Sequence, residues 1–206
     1  MFSLIFGFYN QYFKKPTVHI LIIGLDYAGK STLLELIKTK YSKQPGLPPD
    51  KITPTIGMNL AKFFMNGTQV ILWDLGGQIK MRSMWEKYYE EANAVVFVID
   101  SADPARIQEA KAAYEKACED HMLSDIPVMI FANKQDVSGS MSLQEIAHNF
   151  YDTPNRVAKS AMSSSSMVPG SDLKSARLFG ISSITGAGVS EALASLVHET
   201  QYQMSR

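Results

Sequence analysis

The chain has 206 residues, 46% of them apolar, which is enough for one core in a single domain of ordinary size. Lys plus Arg and Asp plus Glu each number 20, so the formal net charge is zero and bulk electrostatics draw the chain neither to nucleic acid nor to an anionic membrane. The lone cysteine, Cys118, excludes an internal disulfide and fits a reducing compartment; within the apolar-periodic stretch 105–122 it reads as a small core residue.

In chain order, residues 2–13 are rich in Phe, Tyr, Leu and Ile and carry no charge before Lys14 and Lys15. Without a basic start or a small-residue cleavage site the segment does not read as a signal peptide. No apolar run along the chain reaches the length of a bilayer span. On a helix, Phe2, Ile5, Phe6, Tyr9 and Phe13 share a face that Leu4, Phe8 and Tyr12 broaden, so residues 1–15 are predicted to form an N-terminal amphipathic helix ahead of a domain over 16–206.

Within that domain, apolar β-branched runs alternate with helical patterns. Strands are predicted at 18–23, 60–65, 69–73, 94–100, 127–132 and 177–182, and helices at 29–40, 104–122, 142–150 and 189–202. Asn66-Gly67 favours a tight primed turn, which makes 60–65 and 69–73 an antiparallel hairpin. The fold class is α/β, with a mostly parallel six-stranded sheet, one antiparallel strand pair and helices on both faces. Residues 152–172, with Ser163 to Ser166 and Pro169-Gly170, show no period and read as a Ser-rich surface insert.

Three motifs carry chemistry. Gly24-Leu25-Asp26-Tyr27-Ala28-Gly29-Lys30-Ser31 matches a P-loop and lies between a predicted strand and helix. There backbone N–H groups can turn toward phosphates, Lys30 can reach the β- and γ-phosphates and the Ser31 hydroxyl can ligate Mg²⁺. ATPases and small-molecule kinases share such a loop, so it does not name the base. Asn133-Lys134-Gln135-Asp136 does, because a fixed Asp136 carboxylate accepts hydrogen bonds from N1–H and the 2-amino group of guanine, which adenine lacks. In Trp73-Asp74-Leu75-Gly76-Gly77-Gln78, Asp74 suits an acidic group holding Mg²⁺ through water, Gly77 can offer its N–H to a γ-phosphate, and Gln78 can orient an attacking water.

Together with Pro54-Thr55-Ile56-Gly57 and Ser182-Ser183-Ile184-Thr185-Gly186, these motifs resemble the Arf/Arl family of Ras-like P-loop GTPases over nearly the whole chain except the insert. The Met1-Phe2 start, the aromatic N-terminal segment and Ser83-Met84-Trp85 with Tyr88-Tyr89 are similar in particular to the Golgi-associated, ADP-ribosylation-factor-related branch. The resemblance implies a GTP-binding switch that hydrolyses GTP slowly without an activating protein and regulates vesicle trafficking at Golgi-type membranes. Its cofactors would be GTP/GDP and Mg²⁺.

The site residues it implies are Gln78 for catalysis, and Gly24, Asp26, Tyr27, Ala28, Gly29, Lys30, Ser31, Thr32, Thr55 and Gly77 around the phosphates. Asn133, Lys134, Asp136, Ser182, Ser183 and Ile184 would surround the guanine, and Ser31, Thr55 and, through water, Asp74 the metal. The implied partners are an exchange factor, an activating protein, an effector and a Golgi membrane receptor, with reversible membrane contact through residues 2–13 and no nucleic acid. The implied location is cytoplasmic, cycling onto Golgi membranes, with the N-terminal helix packed in the GDP state and released in the GTP state.

Other features refine these expectations. Position 2 is Phe rather than Gly, and the chain ends Gln203-Met204-Ser205-Arg206, so neither N-myristoylation nor prenylation is expected. Lys51-Ile52-Thr53-Pro54 supplies no arginine before Thr55, so an activating protein's arginine is expected. Arg82, four residues past Gln78, is predicted to make a surface or effector contact. Tyr27, Met58 and Ile79 depart from the family's usual residues and bear on partner choice more than on nucleotide chemistry. Two readings compete: a P-loop small-molecule kinase, which gains nothing from 133–136, and a non-hydrolysing binding module.

Overall fold

Parallel strands covered on both faces must be apolar on both faces, and the central strands of this chain are. The computed structural model describes residues 16–42, 45–151 and 177–206; the predicted N-terminal helix and the Ser-rich insert lie outside them. The strands are β1 (Thr17–Gly24), β2 (Met58–Met65), β3 (Thr68–Leu75), β4 (Ala94–Asp100), β5 (Val128–Asn133) and β6 (Arg177–Gly180). They form one six-stranded sheet in the order β2-β3-β1-β4-β5-β6, parallel throughout except for the β2–β3 pair.

In β1, β3, β4 and β5 the side-chain period of two splits the residues between two cores. Ile20, Ile22 and Val96 pack with Leu33, Leu34 and Ile37 of α1 (Lys30–Tyr41) and with Leu193, Leu196 and Val197 of α5 (Val189–Met204). Leu21, Ile23, Phe97 and Ile99 face the other way, against Tyr89 of α2 (Glu86–Tyr89), Tyr114 of α3 (Ile107–Cys118) and Ile146 of α4 (Leu143–Tyr151). Ile22 is fully buried in the first core, so Ile22→Val should lower unfolding free energy by about 0.5–1.5 kcal/mol in a urea titration. No loss of stability would contradict this packing.

The hairpin turns where expected. Asn66 and Gly67 both have positive φ, 48° and 77°, as a type I′ turn needs, and both strands run longer than predicted. The helix expected over 104–122 breaks instead into a 3₁₀ turn at Pro104–Arg106, then α3, then a second 3₁₀ turn at His121–Leu123. Asp120 ends it: its carboxylate accepts the N–H of Met122, a local bond that competes with helix continuation. Cys118 is half-buried at the α3-side core. The strand expected over 177–182 stops at Gly180. The 3₁₀ segment Ile79–Met84 and α2 carry no readable period, being too short for one. Among the described residues no helix is long and apolar enough to cross a membrane.

Candidate functional site

Ligands of open α/β sheets bind beyond the carboxyl ends of the strands. Here the ends of β1, β3, β4 and β5 deliver the three motifs to one edge. Gly24 closes β1, and residues 25–29 loop over to α1. Asp26, Tyr27, Gly29, Lys30, Ser31 and Thr32 line one wall of a cleft of about 220 Å³, with Ile52, Thr53, Pro54, Thr55, Gly77 and Gln78 opposite and Lys134 at one end.

Lys30 is only 6% exposed, and its Nζ donates to the carbonyls of Gly24 (3.0 Å) and Leu25 (2.7 Å). Burial pushes its ammonium down to about 8, while Asp74 and Asp26 pull the other way and Arg82 adds to the fall. An anion beside Nζ favours the charged form. Gly77 meets this loop so closely that a Cβ there would lie 2.4 Å from the Gly24 oxygen and from Lys30 Nζ. No other residue fits that position.

Three oxygens converge beside the lysine. Ser31 Oγ donates to Asp74 Oδ2 at 2.6 Å, Thr55 Oγ1 donates to the same oxygen at 3.0 Å, and the two hydroxyls lie 2.7 Å apart. Asn59, which sequence reading missed, donates to Thr55 Oγ1 and, at 3.4 Å, to Asp74 Oδ2. Asp74 is fully buried, and its Oδ1 has no hydrogen-bond partner among the described residues. Burial raises its carboxyl above the usual range, against the Ser31 hydrogen bond, the Lys30 charge, and the Thr55 and Asn59 bonds. A buried carboxylate with one oxygen unsatisfied, next to two hydroxyls, suits a hard divalent cation such as Mg²⁺, which takes oxygen ligands and keeps water.

On the other side of the cleft, Asn133 is a brace. Its Nδ2 donates to the Ala28 carbonyl at 2.8 Å, and its Oδ1 accepts from the N–H and hydroxyl of Ser183, each at 2.9 Å. The phosphate loop and the 181–186 loop are thereby tied together through one amide. Lys134, at φ 67°, pairs with Asp100 at 2.6 Å, which holds its stem along the cleft. Ser182 Oγ accepts the N–H groups of Ile184 and Thr185, turning that loop. Asp136 and Ile184 are exposed, and the Asp136 carboxylate makes no hydrogen bond among the described residues.

The model of the ADP-ribosylation factor family matches residues 3–200. The chain belongs to that family. It is 41% identical over 160 residues to human ADP-ribosylation factor-related protein 1, covering 77% of this chain and 80% of that one. To ADP-ribosylation factor-like protein 3 of Saccharomyces cerevisiae it is 36% identical over 194 residues, covering 94% and 90%. Its fold is similar to the Arl6 BBS3 small GTPase of Trypanosoma brucei with bound nucleotide analogue GppNp: TM-score 0.70, 24% identity, covering 91% of this chain and 99% of that one. Small GTPases of the ADP-ribosylation factor family bind GTP and GDP with Mg²⁺, hydrolyse GTP, and work with exchange factors, activating proteins and effectors.

In this Arf-family chain the three departures all face outward. Tyr27 is 70% exposed at φ 61°, Ile79 is 75% exposed, and Met58 is exposed at the start of β2. Trp73 and Tyr88 pair at 5.8 Å between ring centroids. Arg82, expected to make a surface or effector contact, is engaged within the domain: its Nε donates to the Gly77 carbonyl at 3.0 Å and its Nη2 to Glu109 on α3 at 2.6 Å. Arg106 also escaped sequence reading; it pairs with Asp103 at 2.6 Å and reaches Asp26 of the phosphate loop at 3.2 Å. Neither arginine has a motif around it that would have revealed these partners.

Proposed function

We propose that the cleft binds a guanine nucleotide and that its walls read the γ-phosphate. In this reading Gly24, Asp26, Tyr27, Ala28, Gly29, Lys30, Ser31, Thr32, Thr55 and Gly77 hold the phosphates. Asp136 reads the base, and Lys134, Ser182, Ser183 and Ile184 surround it, with Asn133 holding the two loops in register. Ser31, Thr55 and, through water, Asp74 would hold Mg²⁺, whose charge offsets the negative charge developing on the phosphates.

The observation that carries the reading is the meeting of Ser31, Thr55 and Asp74 from three separate elements at one point beside Lys30. Thr55 comes from the loop before β2, so whatever binds there also orders that loop. Gln78, exposed at the cleft's rim, orients a water in line with the γ-phosphorus. The new bond forms from that water's oxygen, the bond to the bridging oxygen breaks, and GDP and phosphate leave. With no arginine in 51–54, turnover is slow until an activating protein contributes one. Ser31→Asn tests the metal assignment. Mg²⁺ should then raise GTP affinity far less than in the parent protein, by about tenfold less or more. An unchanged Mg²⁺ effect in a fluorescent GTP titration would contradict it.

The finer reading is a trafficking switch at Golgi-type membranes. It is supported by the similarity to ADP-ribosylation factor-related protein 1 and by the uncharged, aromatic composition of residues 2–13. Eight large apolar side chains in that stretch each favour burial by about 1.5–3 kcal/mol. In this reading they pack on the domain in the GDP state, and in the GTP state they meet membrane together with a Golgi membrane receptor. Linkage then requires that removing the segment also change nucleotide exchange. Liposome co-sedimentation should depend on GTP and disappear on deletion of residues 1–13, with faster GDP release. Binding indifferent to nucleotide, with unchanged release, would contradict it.

A further inference from the structure

Two successive carbonyls at the end of β3 are held by side chains from the segment that follows them. Trp85 Nε1, buried, donates to the Gly76 carbonyl at 3.0 Å, and Arg82 Nε donates to the Gly77 carbonyl, also at 3.0 Å. In a planar trans peptide the C=O of one residue and the N–H of the next point in opposite directions. Fixing the Gly76 carbonyl therefore aims the Gly77 N–H, and fixing the Gly77 carbonyl aims the Gln78 N–H and the chain that carries the Gln78 amide. The Gly77 N–H has no acceptor among the described residues, and Gly77 lines the cleft.

Side-chain packing holds this segment only in part. Residues Ile79–Met84 include none that is buried, and a groove of about 400 Å³ separates the segment from α3. Across it runs the ion pair of Arg82 with Glu109, at 2.6 Å, with the Arg82 side chain 19% exposed. The guanidinium uses its Nε edge for the carbonyl and its Nη2 for the carboxylate, so both its position and its plane are set. A lysine ammonium has no such fork.

We propose that Arg82, anchored by Glu109 and assisted by Trp85, is a positioning residue that fixes the Gly76–Gln78 peptides for the γ-phosphate. The proposal rests on the reading of Gly77 and Gln78 given above. Because GDP lacks the γ-phosphate, the clamp acts on the triphosphate state alone.

The test compares Arg82→Lys, Glu109→Gln, their double variant and Gly77→Ala. It measures dissociation of a non-hydrolysable GTP analogue, dissociation of GDP, and the thermal midpoint of the GDP form. Arg82→Lys and Glu109→Gln should each speed loss of the GTP analogue by about tenfold and leave GDP loss within about twofold. The double variant should be no worse than the worse single one, with the GDP-form midpoint unchanged. Equal loosening of both nucleotides, or a lowered GDP-form midpoint, would show a merely structural brace and overturn the proposal. If Gly77→Ala loses the GTP analogue but holds GDP, while Arg82→Lys and Glu109→Gln keep the analogue, the site reading stands and the clamp falls. If Gly77→Ala keeps it too, the reading of Gly77 falls and takes the clamp with it.

Discussion

Replacing Gln78 with Leu should leave GTP bound and nearly abolish its stimulated hydrolysis. Gln78 has an extended backbone (φ −60°, ψ 144°) directly before the 3₁₀ segment and lies exposed on the cleft wall opposite the phosphate loop. Its amide can accept from an attacking water and donate to a γ-phosphate oxygen, and Leu offers a similar volume with neither group. Lys30, Ser31, Thr55 and Asp74 do not bond to Gln78, so phosphate and metal contacts survive the change. Removing one preorganised transition-state group of this kind costs about two to three orders of magnitude. Single-turnover phosphate release with the catalytic domain of an Arf-family activating protein measures the loss, and a fluorescent GTP analogue measures retained binding. Undiminished stimulated release would remove Gln78 from catalysis.

Asp136→Asn should exchange guanine for xanthine. A carboxylate fixed after β5 accepts two hydrogen bonds from guanine, and both are charge-assisted. The asparagine amide turns one acceptor into a donor, which opposes the 2-amino group but suits the C2 oxygen of xanthine. Loss of one such bond, with a donor now facing the 2-amino group, weakens GTP by about one to two orders of magnitude, while XTP gains. The carboxylate is exposed and braces nothing among the described residues, so fold stability should not change. Competition among GTP, XTP and ATP decides it. A variant that still prefers GTP, or a parent protein that holds ATP as tightly as GTP, would contradict the assignment.

Much of this was legible in the sequence because the informative residues are contiguous. The strand, loop and helix around Lys30 announce themselves, as do the Asn66-Gly67 turn and the alternation that splits β1 between two cores. Chain-distant partnerships were not legible. Asn133 reads as a base contact within its tetrapeptide, yet its amide joins Ala28 to Ser183, a bond that only the folded sheet brings about. Arg82 reads as a surface or effector residue because no carboxylate near it in sequence pairs with it; its ion-pair partner, Glu109, lies 27 residues on and across a groove. Asn59 sits on the hairpin edge, where strand pairing with Asp74 brings its amide to that carboxylate. The break after Cys118 depends on one Asp120 side chain competing with a helical pattern that otherwise continues.

In the proposed switch, a γ-phosphate closes the 52–57 and 76–85 segments on the phosphate loop. Backbone hydrogen exchange of the full chain, with Mg²⁺ and either GDP or a non-hydrolysable GTP analogue, tests it most directly. Those two segments should become protected with the GTP analogue relative to GDP, while the β1, β4 and β5 core exchanges alike in both. Identical exchange of the two segments in both states would contradict it.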